Sequence, residues 1–239
     1  MNRNAHAGRN VERLIENSIV DQPAVILALK KCFKIKGELK NSAGGGIYGD
    51  KSDMRINFDC GHYVDANIKS YKGVGFNQLT RTTISGFCNQ FNLDASSQNE
   101  LEFFVVEKSK NTQGALFPLT AQEKWGNFFN ANAKRIVKWG FSSNTNREVL
   151  ILYNKNTSQV KIYPMKKIVN NITAEIAFTK GGVNIGRCIS FQRKGGNGKA
   201  SRHIPKVAIE HPGNNIQLKL KIKKLIEEFE NKELAEYTI

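Results

Sequence analysis

Two short stretches of strict apolar–polar alternation constrain this 239-residue chain more than any other feature. Met54, Ile56 and Phe58 alternate with Asp53, Arg55 and Asn57, and Val64, Ala66 and Ile68 alternate with Asp65, Asn67 and Lys69. A period of two marks a strand with one face buried. Asp59-Cys60-Gly61-His62 between the two supplies a turn, which predicts an antiparallel hairpin. Every polar residue of both stretches is odd-numbered. The apolar sets therefore meet one core only if odd positions pair with odd. That needs a loop of about three or five residues, or a bulge. In such a register Asp53 lies opposite or diagonal to Asn67 and Lys69, and two acids and a lysine gather on one patch.

The remaining pattern mixes helices and strands. Val11, Leu14, Ile15, Ser18 and Ile19 have helical spacing, with Asn10 placed to cap, and a second helix follows Pro23 through Val25 to Leu29. Asn41 to Gly46 reads as a loop, Phe76 to Phe91 as a helix, and Trp125 to Trp139 as another. The aromatic residues Trp125, Phe128, Phe129 and Trp139 fall near one helical face, as core positions would. Glu148 to Tyr153 and Gln159 to Tyr163 suggest a second hairpin. Ile185 to Gln192 reads as a strand entering the basic loop Arg193 to Lys199. Ile216 to Ile222 is a strand with a basic face, and Lys224 to Glu236 reads as a charged helix. The expected fold class is α/β, a mixed central sheet with helices on both faces. No repeat and no sharp boundary interrupts it, so residues 1–239 are expected to form a single domain.

Charge narrows the function. The chain carries 36 Lys and Arg against 21 Asp and Glu, a net charge of +15. A field that positive points to a polyanionic partner, nucleic acid above all. The four cysteines, Cys32, Cys60, Cys88 and Cys188, include no C-x-x-C pair, which argues against a zinc ribbon or a disulfide scaffold and predicts reduced core thiols. No apolar run reaches membrane-spanning length, and the N-terminus lacks a signal-peptide core, so the expected compartment is the cytoplasm. Gly195-Gly196-Asn197-Gly198-Lys199-Ala200 fails as a phosphate-binding P-loop, because Arg193 and Ala200 stand where Gly and Ser or Thr are needed.

The polar patch of the first hairpin suits phosphodiester hydrolysis. That reaction needs a deprotonated water and a neutralised leaving oxyanion, and carboxylate-held Mg²⁺ assists both. A nearby lysine can orient the water and offset charge on the phosphorus. A solvated sheet face would show the same alternation, so spacing alone leaves both readings open.

Gly49-Asp50-Lys51-Ser52-Asp53-Met54-Arg55-Ile56, followed by Val64-Asp65-Ala66-Asn67-Ile68-Lys69, resembles the G-x-K-(S/A)-D-(I/V)-x-(I/V) and (I/V)-S-(I/L)-K arrangement of PD-(D/E)xK restriction endonucleases. Asn77-Gln78-Leu79-Thr80-Arg81 is similar to the start of the helix that often follows. Gly8-Arg9-Asn10-Val11-Glu12-Arg13 is similar to the helix whose acid frequently joins the metal site. Ile189-Ser190-Phe191-Gln192-Arg193-Lys194-Gly195-Gly196 and Asn215-Ile216-Gln217-Leu218-Lys219 resemble a late pattern of the same enzymes. Two positions depart from the family. Ser52 replaces a proline, and Asn67 stands where the motif usually has an acid.

The resemblance implies a type II restriction endonuclease that cuts both strands of a short specific duplex site. Its catalytic core would span about 8–165 and a DNA-recognition part about 166–239. Asp53, Asn67, Asp65 and Lys69 would be catalytic. Asp53, Asp65 and Glu12 would be candidate Mg²⁺ ligands, with Asp65 or Glu12 supplying the carboxylate that Asn67 lacks. Asn77, Gln78 and Arg81 would contact DNA, as would Gln192, Arg193, Lys194, Lys199 and Arg202. Arg reads guanine and Gln reads adenine by paired hydrogen bonds, while Lys199 and Arg202 suit phosphates. A palindromic site implies a homodimer, and a restriction system implies a cognate DNA methyltransferase acting separately. A non-catalytic nucleic-acid-binding protein and a structure-specific repair or recombination nuclease are the alternatives.

Overall fold

Val11, Ile15 and Ile19 recur one turn apart and form the buried stripe of α1 (Arg3–Ile19) in a computed structural model that describes residues 3–44, 52–73, 76–141, 145–172, 175–196 and 203–239. The helix starts at Arg3, so Asn10 lies inside it and does not cap it. Pro23 opens α2 (Pro23–Phe33) at the position where a missing N–H costs nothing. Then come β1 (Leu39–Gly44), β2 (Met54–Phe58) and β3 (Tyr63–Tyr71). The expected loop from Asn41 is thus strand as far as Gly44, because pairing with β2 satisfies its backbone despite poor strand propensity. Gly45 and Gly46 lie outside the described residues.

β2 and β3 pair antiparallel with Met54 opposite Ala66, Arg55 opposite Asp65 and Asn57 opposite Tyr63. Odd meets odd, as the alternation requires. The Phe58 N–H donates to the His62 carbonyl at 2.9 Å and closes the turn.

The chain divides into two compact units interleaved in sequence. Unit 1 takes Met1–Asn77, Phe141–Asn171 and Ile222–Ile239. Its six-stranded sheet runs β1-β2-β3-β5-β6-β11, where β5 is Glu148–Asn154, β6 is Gln159–Pro164 and β11 is Ala235–Thr238. Only the β3–β5 pair is parallel, so the sheet is mixed. One face buries Met54, Ile56, Phe58, Val64, Ala66, Ile68, Val149, Ile151 and Ile162 with the stripes of α1 and α2. On the other face α6 (Met165–Asn171) packs against β5 and β6, and Phe229, just after α7 (Ile222–Glu228), meets the Tyr163 ring edge-on. The α/β expectation of a mixed sheet with helices on both faces holds. The chain closes differently. The expected charged helix from Lys224 to Glu236 ends at Glu228, and β11 pairs with β6, whose edge would otherwise be bare. Because β11 returns to this sheet, unit 1 continues past the anticipated division near residue 165.

Unit 2 takes Gln78–Gly140 and Ile172–Lys221. It carries α3 (Ile84–Phe91), α4 (Ala95–Lys110), most of α5 (Leu119–Phe141), and a five-stranded sheet in the order β4-β10-β9-β8-β7. These strands are β4 (Phe76–Thr82), β7 (Ile176–Thr179), β8 (Gly182–Ile185), β9 (Ile189–Arg193) and β10 (Ile216–Lys221). The expected helix over 76–91 is therefore strand and then helix. β4 joins the β10 ladder, and Thr83 caps α3 by accepting the Gly86 N–H. α5 presents Trp125 and Phe129 to a core shared with Phe117, Phe178 and Phe191, so these aromatics pack rather than stack on bases.

None of the four cysteines forms a disulfide. Cys88 and Cys188 are buried, whereas Cys32 and Cys60 are exposed, a correction to the expected core role for all four. Among the described residues no helix is long and apolar enough to cross a membrane.

Candidate active site

Asp53 reaches the site from the residue before β2. Its N–H donates to the Ala66 carbonyl at 2.9 Å and carries the hairpin ladder one position further. Asp53 Oδ2 accepts the Ile68 N–H at 2.7 Å and the Lys69 ammonium at 3.2 Å. Lys69 Nζ also donates to the Ile68 carbonyl at 3.1 Å. Both contacts to Asp53 use Oδ2, which leaves Oδ1 unengaged by them. Lys69 is 15% and Asp53 27% exposed, so the pair is partly shielded from solvent and better defined than a surface ion pair.

Glu12 approaches from α1, which packs against β1 and β3. The helix is held at its end: the Ser42 hydroxyl donates to the Glu16 carbonyl at 3.0 Å, and Glu16 Oε1 accepts the Gly44 N–H at 3.1 Å. Burial raises the Glu12 carboxyl above its ordinary range, and the negative charge of Asp53 raises it further. The charges of Lys69 and Arg9 pull it down less strongly. Two carboxylates that feel each other, with a lysine beside them, form an electrostatic unit.

Asp65 is placed differently. Directly opposite Arg55, it accepts Nε at 2.7 Å on Oδ1 and Nη2 at 3.2 Å on Oδ2, so both oxygens are engaged by one guanidinium. Arg55 also lies 4.0 Å above the centre of the Tyr63 ring. Asn67 is buried on β3 between Asp65 and Lys69. Lys69 thus touches Asp53 and lies within electrostatic reach of Glu12, and Asn67 stands two residues before it on the same strand. Among the described residues no group of three or more His, Cys, Asp or Glu is arranged to hold a metal. Two carboxylates and an amide still fit Mg²⁺, which keeps most of its waters, and a cation there would relieve the repulsion that raises Glu12. Gly49, Asp50 and Lys51 of the motif lie outside the described residues.

The proposed DNA contacts divide between strands and turns. Asn77, Gln78 and Arg81 lie on β4 rather than on a helix. Asn77 Nδ2 donates to the Ser70 carbonyl at 2.9 Å, while Gln78 and Arg81 are exposed. Gln192 and Arg193 end β9, opposite Gln217 and Ile216 of β10. Lys199 and Arg202 lie outside the described residues.

Two lysines of unit 2 are held down by burial and by neighbouring cations. Burial lowers the Lys194 ammonium first, and the charges of Arg81 and Arg193 lower it further. Lys108 is lowered by burial, then by Lys180 and Arg193. Among the described residues no carboxylate forms an ion pair with any of these five. The sequence reading missed Lys108 and Lys180, which are far from the basic loop in sequence. It also missed Arg55 as the partner of Asp65, although the odd-to-odd register pointed there.

No family model matches the chain, and no curated protein matches it. Among solved structures it is similar to the restriction endonuclease MspI in complex with its cognate DNA, with a TM-score of 0.49 at 15% identity over 80% of this chain and 75% of that one.

Proposed function

We propose that this chain is a Mg²⁺-dependent type II restriction endonuclease that hydrolyses phosphodiester bonds in double-stranded DNA at a short specific sequence. The observation that carries this reading is the meeting of Asp53, Lys69 and Glu12 on one partly shielded patch. Glu12, Asp53 and the Asn67 amide oxygen would hold the ion. Bound there, Mg²⁺ supplies a water of lowered pKa and offsets negative charge on the phosphate oxygens. Asp53 Oδ2 and the Ile68 carbonyl fix the Lys69 ammonium, so its proton-bearing end is aimed before substrate arrives. From that position Lys69 orients the attacking water and counters charge that builds on the phosphorus. Glu12, already resisting ionisation, gains most from a cation beside it. The unpaired cations of unit 2 supply the attraction to the duplex.

Incubating the protein with phage DNA and Mg²⁺ tests the proposal. Discrete fragments with 5′-phosphate ends support it. Binding without cleavage would mark a binding protein, and cuts only at branched or damaged DNA a repair nuclease; either result overturns it.

A further inference from the structure

Arg193 is half-buried among cations, and its single side-chain hydrogen bond among the described residues is to a neutral group. Its Nε donates to Asn214 Oδ1 at 2.7 Å. A guanidinium taken partly out of water without a carboxylate is costly unless something else supplies acceptors. Burial alone depresses its protonation, and Lys108 and Lys194 both lie within reach of its charge.

Asn214 is itself held rigidly. It is 1% exposed, and its Nδ2 donates to the Lys206 carbonyl at 3.0 Å and the Ala208 carbonyl at 2.6 Å. Those two bonds settle which end of the amide faces Arg193, because only Oδ1 is left to accept. The turn beneath is closed just as tightly. The His211 ring, 2% exposed, accepts the Gly213 N–H on Nδ1 at 3.0 Å, and the Gly195 N–H donates to the Gly213 carbonyl at 2.9 Å. A Cβ on Gly213 would stand 2.9 Å from the Gly196 carbonyl oxygen and 2.8 Å from His211 Nδ1, so only glycine permits this approach. The Lys194 N–H bonds the Asn215 carbonyl at 2.8 Å, and Gln217 Nε2 the Lys194 carbonyl at 3.2 Å. Considerable structure therefore fixes one arginine that forms no ion pair among the described residues.

We infer that Asn214 is a positioning residue that clamps Arg193 by Nε, so that the two Nη groups are presented end-on to the paired O6 and N7 acceptors of one guanine in the duplex. With Nε engaged, the end-on pair is the guanidinium's remaining bidentate edge. Two convergent donors match the major-groove edge of guanine, whereas a phosphate would be served by a lysine ammonium nearby. This rests on the DNA-recognition part of the proposed function and not on cleavage.

Selection of bound duplexes from a randomised library, without Mg²⁺, tests it. The wild-type protein should recover a motif containing a guanine. Asn214→Ala and Arg193→Ala should both lose preference at that same base pair, by about tenfold to hundredfold, with the double variant no worse than either. Arg193→Lys guards against a folding defect at the buried turn: it keeps the charge and the salt dependence yet should lose the same preference. Unchanged preference in Arg193→Lys, loss at different base pairs in the two alanine variants, uniform weakening across all sequences, or a wild-type protein with no motif would each overturn the inference. A protein that selects the motif but never cuts DNA refutes the endonuclease reading and leaves this inference standing.

Discussion

Arg55 and Asp65 face each other across the first hairpin and share two hydrogen bonds, Nε to Oδ1 at 2.7 Å and Nη2 to Oδ2 at 3.2 Å. That pairing separates the two candidates for the carboxylate that Asn67 does not provide. Glu12→Gln should lower the single-turnover cleavage rate tenfold or more with little loss of stability. Asp65→Asn should leave the rate within a few-fold and destabilise the fold by about 1–2 kcal/mol, since a partly exposed charged hydrogen bond is lost. Quench-flow rates and urea midpoints on both variants distinguish the roles. A rate loss confined to Asp65→Asn would reverse the assignment.

Asp53 should be indispensable for turnover. Asp53→Ala is expected to abolish cleavage while duplex affinity stays within about tenfold, because the positive surface is untouched. Gel-shift affinities measured beside a plasmid-nicking assay give both numbers. Persistent cleavage would remove Asp53 from the site.

Glu12 should show its neighbours in its titration. Its native carboxyl is raised above the ordinary 4.5 by burial first and by Asp53 second. Asp53→Asn should therefore move it down without restoring the ordinary value, and Lys69→Met should move it up, both read by carboxyl-carbon NMR. A native carboxyl raised above its unfolded value favours the fold when protonated. That contribution is complete below the ordinary value and is lost as pH rises through the native one. Glu12→Gln should accordingly raise the melting temperature at neutral pH relative to wild type, with the gain disappearing in acid. No gain at neutral pH would mean that the charge causes no strain.

Gly182 sits at φ 152° in β8, where an added Cβ would overlap the Phe191 carbonyl oxygen of the neighbouring strand. Gly182→Ala should cost more than about 3 kcal/mol, because backbone must move to admit it. Gly61, also at positive φ but with open space around the added carbon, should cost about 1 kcal/mol when changed to alanine. Thermal melts of the pair check the contrast; equal losses would contradict the packing around β8.

Burial first, and then the charges of Arg81 and Arg193, hold the Lys194 ammonium below its ordinary range, and a phosphate beside it would relieve that. Lys194→Ala should reduce the slope of log affinity against log salt by about one unit for specific and non-specific duplexes alike. Titration at several salt concentrations measures it, and an unchanged slope would place Lys194 away from the phosphates.

The hairpin was legible because burial of one face leaves a period of two, and that period dictates the register. Pairing of Asp53 with Lys69 followed from it. Elements whose formation depends on distant partners were not legible. Phe76–Thr82 carries no alternation strong enough to betray β4, and it is strand because β10 lies beside it. Ala235 and Glu236 read as the end of a charged helix until the bare edge of β6 is taken into account. The neighbourhood of Glu12 was open for the same reason. Only packing of α1 on β3 brings that carboxylate under the influence of Asp53. Asn214 gave no signal, since a buried asparagine in a turn reads like any other turn asparagine.

The placement of β11 governs how the molecule can be made. Strand β3, with Asn67 and Lys69, must wait for β5 to be synthesised before its second neighbour exists, and β6 must wait longer still for Ala235–Thr238. A nascent chain therefore keeps one edge of β3, and later one edge of β6, without a neighbour until the partner strand has been made. Chains cut short before Ala235 would have a β6 edge open to strands of other molecules. Aggregation and proteolysis are the expected fate of such fragments.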